Sequence, residues 1–138
     1  MKFSILIPTL NNVEYLKICI NSILKNSFFE HEIIVHSNNS SDTTSSFLKS
    51  QNIQELRTET NYGLCTALNQ LASKAKYDYL LFIRPDCKIV DKFNYRNFLF
   101  AKNNRVLSPK FGKSTGLNNR MFIGNYNQGI IFGKSLVT

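Results

Sequence analysis

The stretch YDYLLFIRPDCKIV, residues 77–90, contains the clearest strand in the sequence and the residues that end it. Tyr79–Ile83 is a short apolar run, as is typical of a strand buried on both faces of a parallel sheet. Arg84, Pro85 and Asp86 follow at once, so a cation, a rigid turn residue and a carboxylate stand where that strand would end. These three residues form either a plain turn with a local ion pair or part of a binding site.

Strand-like and helical patterns alternate along the chain before this stretch. An order of strand, helix, strand repeated in this way indicates right-handed crossovers, an α/β fold and a mainly parallel sheet. The predicted strands are residues 3–7, 32–35 and 53–57. The first predicted helix is capped by Asn11 or Asn12 and runs to about residue 25, and the second is capped by Ser40, Ser41 or Asp42 and runs to about residue 50. The third covers residues 64–75.

Polar loops follow each of the four predicted strands, at residues 8–12, 37–42, 58–63 and 84–87. In open parallel sheets, ligands bind beyond the carboxyl ends of the strands. Because all four loops would lie at that one edge, the sequence predicts a binding site there.

Length and composition limit the class of protein. The 138 residues, 43% of them hydrophobic, suit one globular domain, and no apolar run approaches the roughly 18 residues of a membrane span. Three widely spaced cysteines, Cys19, Cys65 and Cys87, lack metal-ligand spacing and indicate reduced thiols in the cytoplasm. The net charge of +8 attracts anions, but the basic residues are spread along the chain, so we expect a nucleotide diphosphate or an anionic surface rather than nucleic acid.

The pattern is weaker after residue 90. Residues 91–103 suggest a helix with an aromatic face, which we interpret as core or as a homodimer contact. Residues 105–107 and 128–132 resemble strands, and residues 110–119 a basic loop.

Three segments resemble the family 2 glycosyltransferases in order and spacing: FSILIPTLNNVEYLKICINSIL (residues 3–24), EIIVHSNNSSDTT (32–44) and NYGLCTALNQLASKAKYDYLLFIRPD (61–86). The resemblance implies the GT-A fold, a Rossmann-like three-layer sandwich. It also implies one domain over residues 1–138, with a nucleotide-binding half at 1–90 and a reduced acceptor half at 91–138. The implied activity is sugar transfer from a nucleoside diphosphate sugar, most readily a UDP-sugar, with Mn²⁺ or Mg²⁺ as cofactor.

The same resemblance implies the residues of the site. Asp86 holds the position expected to contact the metal, Ser37 stands where an aspartate commonly reads the base, and Arg84 replaces the first acidic residue of the carboxylate motif. The residues implied to bind the nucleotide are Pro8, Thr9, Leu10, Asn11, Ser37, Asn38, Asn61, Gly63, Arg84 and Pro85.

Some residues keep a structural interpretation beside the functional one. We interpret Asp42 as a helix cap rather than a ligand, and Asn69 as a loop brace or a ligand contact. Arg57 is a weak candidate for reaching the nucleotide.

Inverting transfer needs a general base, yet no acidic residue follows Asp91. The base is therefore missing, supplied by another chain, or unnecessary, and the catalytic residues stay unknown. The predicted function is a glycosyltransferase acting on an unknown acceptor or slowly on water. The alternative is a catalytically inactive nucleotide-binding or partner-binding relic of the same fold.

Overall fold

The computed structural model describes residues 2–27 and 30–89 and the backbone of residues 121–125. Five strands and three helices follow one another in these parts of the chain. The strands are β1 (Lys2–Thr9), β2 (Glu30–Asn38), β3 (Gln54–Thr58), β4 (Tyr79–Ile83) and β5 (Met121–Asn125), and the helices are α1 (Val13–Asn26), α2 (Thr44–Ser50) and α3 (Leu64–Lys74).

The strands form one sheet in the order β3-β2-β1-β4-β5. The first four are mutually parallel, as the alternation of patterns predicts, and β5 lies antiparallel on β4. β5 was not predicted, because its five residues include Gly124 and show no strict alternation. The helix predicted over 91–103, the strands predicted over 105–107 and 128–132, and the loop predicted over 110–119 lie outside the described residues.

Helices cover both faces of the sheet, which gives the predicted three-layer arrangement. Alternate residues of β1 point to opposite faces, so Ile5 and Ile7 pack with α1 and α2, whereas Leu6 packs with α3. Both clusters contain side chains that are almost completely buried. The sheet is thus buried on both faces, which explains why its strands read as continuous apolar runs.

β2 extends further than the apolar run predicts, to Asn38 instead of residue 35. The added residues are polar but buried: His36, Ser37 and Asn38. Their backbones continue the pairing with β1 and β3. His36 Nε2 lies 2.6 Å from Oε1 of Gln70 on α3, so one of the two ring nitrogens of this buried histidine has a partner.

The ends of the helices lie close to their predicted positions. Neither Asn12 nor Thr43, the residues before α1 and α2, caps its helix with its own side chain. Asp42 supplies both caps instead, because it accepts the Val13 N–H at the start of α1 and the Thr44 N–H at the start of α2. In the described parts of the chain no helix has the length and apolar character to cross a bilayer.

Candidate functional site

A cleft of about 300 Å³ opens at the carboxyl ends of β1, β2 and β4, beside the start of α3. Of the predicted site residues, eight line it: Pro8, Thr9, Leu10, Asn38, Asn61, Gly63, Arg84 and Pro85. Asn11, Ser37 and Asp86 are not in the lining, although each adjoins a residue that is. Asn12, Leu64 and Ala67 also line the cleft and were not predicted.

Asn38 holds the loop between β3 and α3 in place. Its amide nitrogen donates to Asn61 Oδ1 at 2.6 Å and to the Gly63 carbonyl at 3.4 Å. Its amide oxygen accepts from the Thr58 hydroxyl and the Tyr62 N–H, both at 3.2 Å. Both ends of this amide are therefore used inside the protein, and Asn38 shapes the wall of the cleft through the loop.

Gly63 ends this loop with φ +87° and ψ 172°, a backbone conformation that residues other than glycine rarely adopt. Apart from its two chain neighbours, no described residue has an atom within 4 Å of the position a Cβ would take, so the requirement for glycine is conformational rather than steric. The Gly63 N–H also donates to Asn61 Oδ1 at 3.0 Å. Glycine thus allows the chain to turn directly from the cleft wall into α3.

Asn11 joins the loop after β1 to the loop after β2. Its Oδ1 accepts from the Ser41 N–H at 2.7 Å and from the Asp42 N–H at 3.3 Å, and its own N–H donates to the Ser40 hydroxyl at 3.2 Å. Asn11 has φ +51°, which asparagine tolerates better than most residues. Its side chain braces two loops, whereas the nucleotide contact predicted for it remains a prediction.

Asp42 accepts hydrogen bonds from both neighbouring helices. Oδ2 accepts from the Val13 N–H at 3.2 Å, and Oδ1 accepts from the Thr44 N–H at 3.1 Å and from the Thr44 hydroxyl. Partial burial opposes ionisation, but the bonds from Thr44 and Val13 outweigh it and hold the pKa of Asp42 below its ordinary value of 3.8. The prediction that Asp42 is a cap rather than a ligand agrees with these contacts.

Thr9 and Ser37 are neighbours across β1 and β2, at the ends of the two strands. Their side chains are 4% and 0% exposed, and neither hydroxyl oxygen has a hydrogen-bond partner among residues 2–27 and 30–89. Buried polar groups are nearly always paired. Thr9 lines the cleft and Ser37 lies beside it on β2, so these two hydroxyls are the candidates for a bond to a ligand or a water molecule.

Arg84 and Asp86 form an ion pair at the end of β4, with Arg84 Nη2 at 2.9 Å from Asp86 Oδ2. Their side chains are 40% and 44% exposed, so the pair itself adds little stability. The Arg84 carbonyl accepts from the Cys87 N–H at 3.1 Å and from the Cys19 thiol at 3.8 Å, which fixes the turn. The turn with a local ion pair is thus present, and it lies on the wall of the cleft.

Asp86 is a single carboxylate. In the described part of the chain it does not belong to a cluster of metal-ligating side chains. Across residues 2–27 and 30–89, no three His, Cys, Asp or Glu side chains come together as metal ligands. Magnesium commonly binds through one or two carboxylates with substrate phosphates and water. A single exposed carboxylate next to the cleft fits such an ion only if the ligand supplies most of the coordination.

The three cysteines, all of them in the described part of the chain, are reduced and form no disulfide. Burial, with smaller effects from nearby Cys87 and Asp86, raises the pKa of Cys19 to about 12, so this thiol stays protonated. Cys19 is therefore a packing residue behind the Arg84 turn.

Two weaker candidates lie away from the cleft lining. Arg57 donates to the Ser45 hydroxyl at 2.8 Å and lies 4.0 Å from Glu59, so its guanidinium is directed to α2. Asn69 keeps a buried Oδ1 with no partner among the residues that the structure describes.

A larger hollow of about 410 Å³ lies along the outer side of α1 between Ile18 and Ile89, away from the strand ends.

The sequence matches the glycosyl transferase family 2 profile over residues 4–106. It is 30% identical over 117 residues to poly-beta-1,6-N-acetyl-D-glucosamine synthase of Staphylococcus epidermidis, covering 82% of this chain and 27% of that protein. The chain thus spans about a quarter of the curated relative's length.

Solved structures of S. aureus TarS have the same fold. At 26% identity, the fragment 1–349 in complex with UDP gives a TM-score of 0.68 over 86% of this chain and 38% of that one. The same fragment in complex with UDP-GlcNAc gives a TM-score of 0.63 over 86% and 37%.

A mannosyltransferase from Pyrobaculum calidifontis, solved with GDP-Man and Mn²⁺, is 17% identical, with a TM-score of 0.58 over 70% of this chain and 30% of that one. At this identity the likeness shows the fold alone. Together with the family profile, these matches confirm the GT-A fold and the family expected from the sequence. The chain belongs to glycosyl transferase family 2.

Proposed function

We propose that this chain binds UDP-N-acetylglucosamine in the cleft and contributes to the transfer of the sugar to an acceptor. The observation that carries the proposal is the polarity of the cleft. Arg84, a cation in the lining, lies at the end of β4, whereas Thr9, also in the lining, has a buried hydroxyl at the end of β1. Ser37, its neighbour on β2, lies just outside the lining and has a second buried hydroxyl. A ligand that is anionic at one end and neutral and polar at the other suits this arrangement.

A nucleoside diphosphate matches the cleft in length as well as in polarity. β2 and β4 lie on either side of β1, so their ends are about 10 Å apart at the usual strand spacing. A diphosphate beside Arg84 would direct its nucleoside toward Thr9 and the β2 end. The guanidinium would bind phosphate oxygens through its fork of N–H donors.

The metal is a further part of the proposal. When bound, Mn²⁺ or Mg²⁺ would offset the negative charge that develops on the departing diphosphate. Asp86 would hold the ion on the protein side, and Arg84 would be released from the ion pair to bind the diphosphate. With a single carboxylate, we expect weak metal binding in the absence of nucleotide.

The relatives support the choice of sugar. TarS, 26% identical, was solved with UDP and with UDP-GlcNAc, and the curated relative is named for a polymer of N-acetylglucosamine. We assign donor binding to residues 1–90 and acceptor binding to residues 91–138, in line with the family pattern. Both assignments are proposals, because the chain spans only part of each relative.

A binding domain without catalytic activity is the second candidate. The Arg84–Asp86 pair favours it, because that pair occupies the carboxylate that an enzyme would use for the ion. Release of UDP from UDP-GlcNAc separates the two candidates, since a domain that only binds would leave the donor intact.

Calorimetric titration of UDP-GlcNAc, UDP and GDP, each with and without Mn²⁺, tests the proposal. We expect Mn²⁺ to tighten UDP binding at least about tenfold, a gain of about 1.4 kcal/mol. Asp86→Asn should remove that gain, while Arg84→Gln should weaken binding even without metal. Asp78→Asn is the matched control, because Asp78 is exposed just before the amino end of β4, opposite Asp86.

Two results would contradict the proposal. If no nucleotide bound under any condition, both the transferase and the binding-domain candidates would fail. If binding were equal with and without Mn²⁺ and unchanged in Asp86→Asn, the metal role of Asp86 would be wrong while the cleft assignment survived.

A further inference from the structure

Three large apolar residues with exposed side chains belong to the cleft lining or lie next to it in the chain. Leu10 and Leu64, both in the lining, are 39% exposed, and Tyr62, between the lining residues Asn61 and Gly63, is 62% exposed. We call Leu10, Tyr62 and Leu64 the apolar margin. Exposed apolar groups gathered around a polar cleft commonly mark a ligand-binding groove.

Tyr62 extends from a backbone that is held on both sides. Its N–H donates to Asn38 Oδ1 at 3.2 Å, and the preceding Asn61 is bound to Asn38 at 2.6 Å. Gly63 follows in its special conformation and starts α3. The ring is therefore exposed while its main chain is fixed, so a ligand would meet a positioned aromatic surface rather than a loose loop.

The apolar margin adjoins the uncharged part of the cleft. The Tyr62 backbone is bonded to Asn38 at the end of β2, and Leu10 directly follows β1. Arg84 lies beyond β1 at the end of β4. A nucleotide with its phosphates at Arg84 would direct its base toward the β2 end, where the loop that carries Tyr62 is held.

We infer that Tyr62 stacks on the base of the bound nucleotide and supplies a large part of the affinity for it. The inference rests on the proposed function, and it deepens it by assigning a residue to the base. Every nucleobase presents a flat π-face, so stacking strengthens binding with little regard to the kind of base. The margin would thus hold the base, while the polar groups beneath the cleft would set the preference among bases.

The test compares UDP, CDP and inorganic pyrophosphate on the full chain, by calorimetry and by quenching of tyrosine fluorescence. Tyr62→Ala should weaken UDP and CDP binding by about 5- to 150-fold, the range measured for one base–aromatic contact. Pyrophosphate has no base, so its binding should be unchanged. Tyr62→Phe should keep most of the wild-type affinity, since it keeps the ring.

Tyr15→Ala is the matched control, because Tyr15 is 60% exposed on α1, away from the cleft lining. It should leave the binding of all three ligands unchanged. The inference would be overturned if Tyr62→Ala bound UDP like the wild type. It would also be overturned if Tyr62→Ala weakened pyrophosphate as much as UDP, which would show a general effect on the loop.

Failure of the proposed function gives a different result. If the wild-type chain bound none of the three ligands, the donor site and the role of Tyr62 would both be wrong. If the wild type bound UDP and pyrophosphate alike and Tyr62→Ala changed neither, the diphosphate site would stand and only the stacking role would fall.

Discussion

Ser37 carries a fully buried hydroxyl, at the end of a central strand, that has no partner among the described residues. An unpaired buried polar group lowers stability by about 1–3 kcal/mol, and removing it relieves that loss. We predict that Ser37→Ala keeps or raises the melting temperature while it weakens UDP binding. Thermal unfolding and calorimetry on the same samples would check both parts.

Opposite effects on stability and binding would distinguish a ligand-facing hydroxyl from a structural one. If Ser37→Ala lowered the free energy of unfolding by about 1 kcal/mol or more, the hydroxyl would have a partner in the native protein. Ser73→Ala is a suitable control, because its exposed hydroxyl donates within α3.

Asp42 stabilises the fold through its ionised carboxylate, which caps two helices. Its two oxygens accept from Val13 and Thr44 at the starts of two helices, so Asp42→Asn would place an N–H₂ group against backbone donors. We predict a loss of about 1–2 kcal/mol at pH 7, as for other helix caps. Denaturant unfolding of the two proteins measures the difference.

The pH dependence of that difference follows from the lowered pKa of Asp42. A carboxyl whose folded pKa lies below its unfolded value stabilises the fold above the unfolded value, here about 3.8. This contribution decreases as the pH falls below 3.8 toward the folded pKa and is gone below it. The gap between wild type and Asp42→Asn should therefore close in acid. A gap that stayed constant from pH 7 to pH 2 would contradict the role of the charge.

The capping role of Asp42 could be predicted from its position before a helical pattern. Its bond to Val13 could not, because it joins residues 29 apart in the sequence. Asn38 was placed correctly at the cleft on the basis of the resemblance. Its use of both amide ends within the β3–α3 loop depends on the folded course of that loop, which a strand pattern does not contain.

At the scale of elements, the four parallel strands and three helices could be predicted because burial on both faces of a sheet produces apolar runs. For β4 even the bounds agree, since Tyr79–Ile83 is bordered by a polar turn on each side. β2 was too short in the prediction, because buried polar residues continue its pairing. β5 was missed, because an edge strand of five residues has little pattern to detect.

Gly63 determines how the loop after β3 continues into α3. Its φ of +87° lies in a region that costs other residues about 1–3 kcal/mol, although, apart from the two chain neighbours, a Cβ would meet no described atom within 4 Å. We predict that Gly63→Ala destabilises the domain by about that amount and weakens UDP binding further, because Asn61 and Tyr62 would shift with the loop. Unfolding in urea and UDP titration would measure the two effects.

The control for this variant separates backbone strain from a change at the helix start. Cys65→Ala keeps the glycine and changes the second residue of α3, which is not in the cleft lining. If Gly63→Ala were as stable as the wild type, the strain assigned to this position would be wrong.

At the scale of the whole molecule, the net positive charge is unevenly distributed between the two parts of the chain. Basic residues are spread along the chain, but residues 1–89 carry nine Lys or Arg and eight Asp or Glu, whereas residues 90–138 carry eight and one. The net charge of +8 therefore belongs almost entirely to the second part. A segment with this composition attracts any polyanion without reading its sequence.

We predict that the chain binds single-stranded DNA weakly at low salt and releases it as the salt rises from about 50 mM to 200 mM, as expected for counterion release. Changing Lys92, Lys102 and Lys113 together to Gln should reduce the magnitude of the slope of log K against log salt by about 0.7 for each phosphate that the variant no longer neutralises. Fluorescence anisotropy with two unrelated DNA sequences measures the slope.

A second triple variant separates the position of the charge from its total. Changing Lys49, Lys74 and Lys76 to Gln removes the same charge from the balanced part, so it should leave the slope nearly unchanged. An equal change of slope in the two variants would show that the total charge, rather than its position, governs the attraction. Attraction by charge alone is screened by salt and indifferent to sequence. DNA binding that persisted at about 300 mM salt, or that preferred one sequence, would therefore contradict the expectation that nucleic acid is not a partner.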